Sequence, residues 1–293
     1  MGTELDSRGV DTRNALWSAL ALTAAPEAVY QVHTDYLDAG ARVITTNTYQ
    51  ATLPALLRAG HDARGAREVI AAGARLAGEA ARRFETEHPE EPVLVAGGLG
   101  PYGAYLADGS EYSGAYDIDI PEDSGFREVH LPRIEVLVGE GIDLLALETL
   151  PRLDEAQALL AMVKDLAPQA ECWVSFQVRS GGTRLAGGTP LAEAAAWAAG
   201  EGAVVAVGVN CVAPDVVGRA LPVLRAATTK PLVAYPNAGE PYDPVTKSWR
   251  SADEEGGLAA LAPSWIAAGA RLVGGCCRTR PAQIRELAHA LGA

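Results

Sequence analysis

The sequence predicts an eight-stranded β/α barrel, seven strands of which can be read in the chain. Three observations carry this expectation. Short β-branched runs alternate with longer amphipathic stretches over the whole length, the pattern of a parallel sheet joined by crossover helices. The passages from helix to strand carry small residues, as in Ala39-Gly40-Ala41, Gly139-Glu140-Gly141 and Ala268-Gly269-Ala270, where Gly stops the helix. No G-x-G-x-x-G opens a helix after the first strand, which disfavours the alternative, a doubly wound open sheet.

The expected strands are 42–49 (RVITTNTY), 93–100 (VLVAGGLG), 143–150 (DLLALETL), 172–178 (CWVSFQV), 204–211 (VVAVGVNC), 231–239 (PLVAYPNAG) and 271–277 (RLVGGCC). Between them, apolar residues recur at three- and four-residue spacing over 27–37, 66–85, 126–139, 154–166, 191–199, 216–227 and 258–268, as helices packed on a sheet require. A last helix over 282–291 follows Pro281, a residue suited to a first turn. No linker rich in Ser, Pro or charge interrupts the series, so residues 1–293 are expected to form a single domain. Met1 to Leu5 reads as a loop leading into a helix, and the missing first strand is expected upstream of Met1.

Composition narrows the function classes. The 293 residues carry a formal net charge of -13, which repels a phosphate backbone and excludes nucleic acid as an expected partner. No uncharged apolar stretch approaches the roughly 18 residues of a membrane span, and MGTELDSRGVDTR lacks the basic-then-apolar order of a secretory signal. The expected location is cytoplasmic. Four cysteines in a reducing compartment are not a disulfide framework.

Polar and thiol residues gather where the strands end. Thr45, Thr46 and Asn47 close one strand, Glu148 and Thr149 another, Asn210 and Cys211 a third, Asn237 a fourth, and Cys276 with Cys277 the last. On a barrel all of these face one mouth, where active sites of this architecture lie. Cys211, Cys276 and Cys277 could therefore converge on one soft metal ion, zinc before others in a cytosol, with a fourth position open. Three inert buried thiols remain the competing reading. Cys172 starts its strand and is assigned to packing. His33, His61, His88, His130 and His289 lie away from strand ends, and none is a good ligand candidate. Lys164, Lys230 and Lys247 end no strand on the active side, which disfavours a Schiff-base aldolase.

A zinc held by three thiolates carries net negative charge, which suits keeping a bound thiol nucleophilic better than polarising a carbonyl. Glu148 could hold the ammonium of an amino-acid thiol or serve only to orient loops. The segment 97–116 carries Tyr102, Tyr105, Tyr112 and Tyr116, faces that attract sulfonium groups by about 0.5–2 kcal/mol each, although an ordinary lid explains them equally well.

The motifs MGTEL (1–5), TNTYQAT (46–52), GPYGAYLADGSEY (100–112), ETLP (148–151), GVNC (208–211), YPNAGEPYD (235–243) and GGCCRT (274–279) resemble those of the zinc-dependent homocysteine S-methyltransferases, nearly end to end. The S-methylmethionine-using branch is the most similar. The resemblance implies zinc on Cys211, Cys276 and Cys277 and homocysteine ammonium on Glu148; the strand-end residues Thr46, Asn210 and Asn237 and, from the aromatic segment, Tyr102 are further substrate-binding candidates. It implies methyl transfer to the homocysteine thiol from S-methylmethionine or, second, S-adenosylmethionine. Family members carry a strand ending in Asp-Gly-Gly or Asp-Gly-Ala before the motif that here begins at Met1, and its Asp contributes to homocysteine binding; the chain lacks both. The competing functional readings are a cysteine-based metal or redox sensor and an inactive truncated relative.

Overall fold

The computed structural model describes residues 1–116, 124–142, 144–239, 242–243, 248–249 and 257–292. Seven strands form one parallel sheet: β1 (Val43–Thr45), β2 (Leu94–Leu99), β3 (Leu144–Leu150), β4 (Glu171–Phe176), β5 (Val204–Asn210), β6 (Leu232–Tyr235) and, last, β9 (Ala270–Val273). A two-residue antiparallel pair, β7 (Tyr242–Asp243) and β8 (Ser248–Trp249), stands apart. The order β1-β2-β3-β4-β5-β6-β9 follows the chain. A doubly wound sheet reverses its strand order at a switch point, so the sequential order excludes that alternative. All eight expected helices are present, each within about one turn of its expected ends. No helix among the described residues is long and apolar enough to cross a membrane.

The sheet curls because one face must close on itself. Side chains of a strand alternate between faces, and one parity supplies a single cluster: Val43 from β1, Ala96 from β2, Leu144 and Ala146 from β3, Trp173 from β4, Ala206 from β5, Val233 and Tyr235 from β6, Leu272 from β9. Seven strands laid flat span roughly 29 Å between the outer two, too far for side chains to share a cluster. Trp173 fills the centre, and the alanines at 96, 146 and 206 leave it room. The opposite parity, including Leu145, Leu147, Cys172, Val174, Val207, Val209 and Ala234, packs outward against the helices in the main core. The half-barrel is thus lined thinly inside and sealed thickly outside. Among the described residues, β1 and β9 each have one neighbour and do not pair with each other.

The backbone ladders stop before the expected strands do. β1 ends at Thr45 rather than Tyr49, because side chains take over from peptide groups. The Thr46 hydroxyl oxygen accepts from Gly98 N–H at 3.0 Å, and the Thr48 hydroxyl donates to Gly98 O at 2.8 Å. β9 ends at Val273, and the following loop is stitched by Gly274 N–H to Ala234 O and Cys276 N–H to Pro236 O. Residues 2–7 are helical, and that helix abuts the same loop: Arg278 N–H donates to Thr3 Oγ1 at 2.8 Å. The residues Asp143, Glu240, Pro241 and Lys247, named from the sequence, lie outside the described set.

Because Trp173 is the largest residue of the inner cluster, Trp173→Ala should cost about 3–5 kcal/mol. Its Nε1–H also donates to the Tyr235 hydroxyl at 2.9 Å. Urea denaturation of the variant against the parent chain measures the loss.

Candidate active site

Strand parity delivers the polar residues to the mouth. Two residues beyond the inner apolar layer, the same face carries Gly98, Glu148, Ser175, Gly208 and Tyr235, and two further on in β5 it carries Asn210. Apolar floor and polar rim are successive layers of one pattern. Thr149 interrupts it: its φ of 60° and a register shift between Leu147 and Leu150 mark a bulge, a device that re-aims side chains beside active sites. Glu148 and Thr149 both reach the mouth, and Leu150 returns to the outer core.

Asn210 ties the rim together. Fully buried, it accepts from Thr149 N–H at 2.7 Å and from the Ser175 hydroxyl at 2.7 Å, and its amide donates to Thr149 Oγ1 at 2.8 Å. Ser175 Oγ also lies 2.6 Å from the Tyr235 hydroxyl. Tyr235 in turn hydrogen-bonds the Glu148 carboxylate. Glu148 is buried, and burial pushes its carboxyl up to about 8, with the charge of Cys276 adding to the shift. A Cβ on Gly98 would lie 3.4 Å from Glu148 Oε1 and 3.1 Å from Thr46 O, so the bare backbone there is what leaves space for the carboxylate.

The three cysteines meet. Cys211, Cys276 and Cys277 place their sulfurs within 4.8 Å of one another, and all are free thiols, with Cys211 and Cys277 Sγ 3.6 Å apart. Tetrahedral zinc at Zn–S of about 2.3 Å separates its sulfurs by about 3.8 Å, so the donor set fits that ion. Hydrogen bonds from Cys211 and Cys276 hold the Cys277 thiol well below the ordinary range, while Cys211, which donates, stays well above it. Cys211 reaches the cluster through a left-handed backbone at φ 52°. Gly275 contributes by lacking a side chain, since a Cβ there would meet the Thr279 side chain at 2.2 Å. The left-handed residue of that turn is Arg278, φ 66°.

The remaining expected residues take these places. Thr46 is buried and faces Thr48 Oγ1 at 2.6 Å. Asn237 closes the loop after β6, its N–H donating to Val212 O and its Oδ1 accepting from Gly239 N–H at 3.2 Å. The same loop binds the cysteine pair, with Ala238 N–H donating to Cys277 O at 3.0 Å. The Tyr102 ring packs among Tyr105, Tyr116 and Phe126 at centroid distances of 5.3–5.9 Å. Tyr112 is the tyrosine at the sulfurs, its hydroxyl 3.7 Å from Cys211 Sγ. Cys172 is fully buried in the outer core, where burial pushes its thiol up to about 12. Ser175, Tyr235 and Tyr49, whose hydroxyl bonds Thr149, are rim residues not singled out from the sequence.

The model of the homocysteine S-methyltransferase family matches residues 1–291. The chain belongs to that family. It is 45% identical to the homocysteine S-methyltransferase of Escherichia coli (strain K12) over 98% of this chain and 92% of that one. With the Bacillus subtilis (strain 168) homocysteine S-methyltransferase YbgG it shares 40% over 98% of this chain and 91% of that one. The crystal structure of the E. coli homocysteine methyltransferase MmuM in its metallated form superposes with a TM-score of 0.87 at 42% identity, covering 99% of this chain and 93% of that one. Membership makes the chain an S-methyltransferase, which favours the enzyme over the sensor, and a metallated relative accords with the sulfur cluster.

Asn210→Ala leaves the buried Thr149 N–H and Ser175 hydroxyl without their acceptor, at an expected cost of about 2–4 kcal/mol. The check is the shift in urea midpoint.

Proposed function

We propose that the chain transfers a methyl group from a sulfonium donor, S-methylmethionine in the first place and S-adenosylmethionine in the second, to the thiol of L-homocysteine. Methionine is the product. The observation that carries the reading is the convergence of three sulfurs with a buried carboxylate at one mouth of the half-barrel. Cys211, Cys276 and Cys277 would hold zinc, which lowers the pKa of a coordinated thiol so that it attacks at neutral pH.

The protein's own groups do the rest. Glu148, desolvated and hydrogen-bonded by Tyr235, offers charge to the homocysteine ammonium, and that partner offsets the burial that holds its carboxyl high. Asn210 and Thr149 fix the backbone next to it, and Thr46 and Asn237 would supply further polar contacts to the substrate. The aromatic faces of Tyr49 and Tyr112 favour a sulfonium cation on the rim, while Tyr102, packed among Tyr105, Tyr116 and Phe126, backs that side from behind. The homocysteine sulfur forms a bond to the methyl carbon as the bond to the donor sulfonium breaks, and the donor leaves as a neutral thioether. The thiol proton passes to solvent before this step, so no separate base acts in the transfer itself.

The whole chain, 1–293, is read as one homocysteine-binding domain, and the curled sheet as part of a (β/α)8 barrel, in which β1 and β9 do not pair with each other among the described residues. We place the enzyme in the cytoplasm, where reduced thiols persist.

Freshly reduced protein should contain one zinc per chain and form methionine from homocysteine and S-methylmethionine. Cys276→Ala should lose both metal and turnover. Absence of zinc, or zinc without methionine from either donor, overturns the reading. Glu148→Gln should keep the zinc and raise the homocysteine KM about 10- to 100-fold, the worth of one charged hydrogen bond.

A further inference from the structure

Three ionisable residues lie fully buried outside the mouth, and the chemistry above uses none of them: Arg133 and His130 on the helix Ser124–Gly139 and Glu155 on the helix Leu153–Leu166. They form a chain. Arg133 Nη2 donates to His130 Nδ1 at 2.8 Å, and His130 Nε2 lies 2.9 Å from Glu155 Oε1. An arginine can only donate, so Nδ1 is the acceptor and Nε2 carries the proton that Glu155 receives. Burial lowers the pKa of His130 and keeps the ring neutral between the two charges.

Both ends of this chain grip loop backbone. The Arg133 guanidinium donates to the carbonyls of Thr48, Tyr49 and Gly100. Glu155 accepts from Tyr102 N–H and from the Tyr116 hydroxyl. The loop after β1 and the segment 100–116 after β2 are therefore fastened to the helices behind them. The helix opening at Tyr102 passes the constraint on: a Cβ on Gly103 would lie 2.4 Å from Glu111 N, so helix and 110–112 segment touch backbone to backbone. At the far end of that contact Tyr112 faces Cys211.

Apolar residues of similar volume could fill these positions at equal or better stability. A buried polar network earns its place by fixing one geometry among several. We propose that Arg133, His130 and Glu155 act as positioning residues that hold the loops 48–50 and 100–116 in place, so that Tyr49 and Tyr112 already line the donor side of the mouth when the sulfonium substrate arrives. This rests on the methyl-transfer reading of the same mouth.

The test compares His130→Leu, which breaks the relay while filling its volume, with His130→Gln, whose amide can accept from Arg133 and donate to Glu155. In the zinc-loaded enzyme, His130→Leu should keep its zinc and its homocysteine KM within about twofold while the donor KM rises about tenfold or more. Amide hydrogen exchange should quicken in 48–52 and 100–112 and not in the sheet. His130→Gln should return both readouts to within about threefold of the parent. Unchanged exchange and donor KM in His130→Leu overturn the proposal, and so does loss of zinc with exchange raised throughout, which marks a merely structural role. Should His130→Leu fail to fold, Tyr116→Phe removes a single donor to Glu155; faster exchange at the Tyr102 amide with a raised donor KM supports the proposal, and no change overturns it. If the parent enzyme makes no methionine from either donor, the methyl-transfer reading fails, and the exchange measurements still decide whether the network holds the loops.

Discussion

A strand shows its barrel interior only every second residue, and the mouth depends on how this chain obeys and then breaks that rule. Obeying it stacks Gly98, Glu148, Ser175 and Tyr235 directly above the apolar layer built around Trp173. Breaking it supplies the reactive groups. By parity Cys211 belongs with Val209 on the outer face; its left-handed backbone turns the sulfur back toward Cys277. Thr149 breaks the alternation in β3 in the same way. Such conformations cost of order 1–3 kcal/mol in non-glycine residues. Asn210 lies between the two, hydrogen-bonded to Thr149 by its side chain and joined to Cys211 by the peptide bond, so that holding it in place secures both.

The placement of the cores makes this arrangement sustainable. The main apolar cluster lies between sheet and helices and draws on strands β2 to β6 and β9. The inner space is free to be small-sided below and polar above. Polar atoms packed this densely would be costly if unpaired, but the rim forms a nearly continuous circuit from Trp173 through Tyr235, Ser175 and Asn210 to Thr149. Glu148 and the sulfurs are the groups at this mouth that gain from a cation, whether metal or ammonium.

Much of this was legible in the sequence, for a physical reason. Periodicity marks long elements, so it gives the seven strands of the parallel sheet and the eight longer helices but not the short helices Gly2–Ser7, Ala21–Ala24, Leu53–Arg58 and Tyr102–Leu106, and strand ends in a barrel share one rim, so residues as distant as Cys211 and Cys276 are expected to meet. Strand lengths were overestimated where hydroxyls of Thr46 and Thr48 replace peptide groups in the ladder. The link between Asn210 and Thr149 depends on a left-handed bulge, which no residue type announces when it is not glycine. The aromatic loop was recognised as a unit, but composition does not say which ring turns inward; the structure puts Tyr112 at the sulfurs and Tyr102 among other rings. His130 and Arg133 do leave a trace in the sequence. They occupy the inward stripe of their helix, between Phe126 and Leu137, where apolar side chains are the rule.

Cys172 shows what the outward parity does to a thiol. It is sealed in the outer core, its Sγ against Ala203 O at 3.5 Å and its ionisation suppressed by burial. The thiolate is the species that alkylating reagents attack, so in the native chain this sulfur stays silent and reports only when the chain opens. The molecule thus carries its own internal reference. In one labelling experiment, modification at Cys211, Cys276 and Cys277 follows occupancy of the mouth, and modification at Cys172 follows unfolding, with no engineered probe.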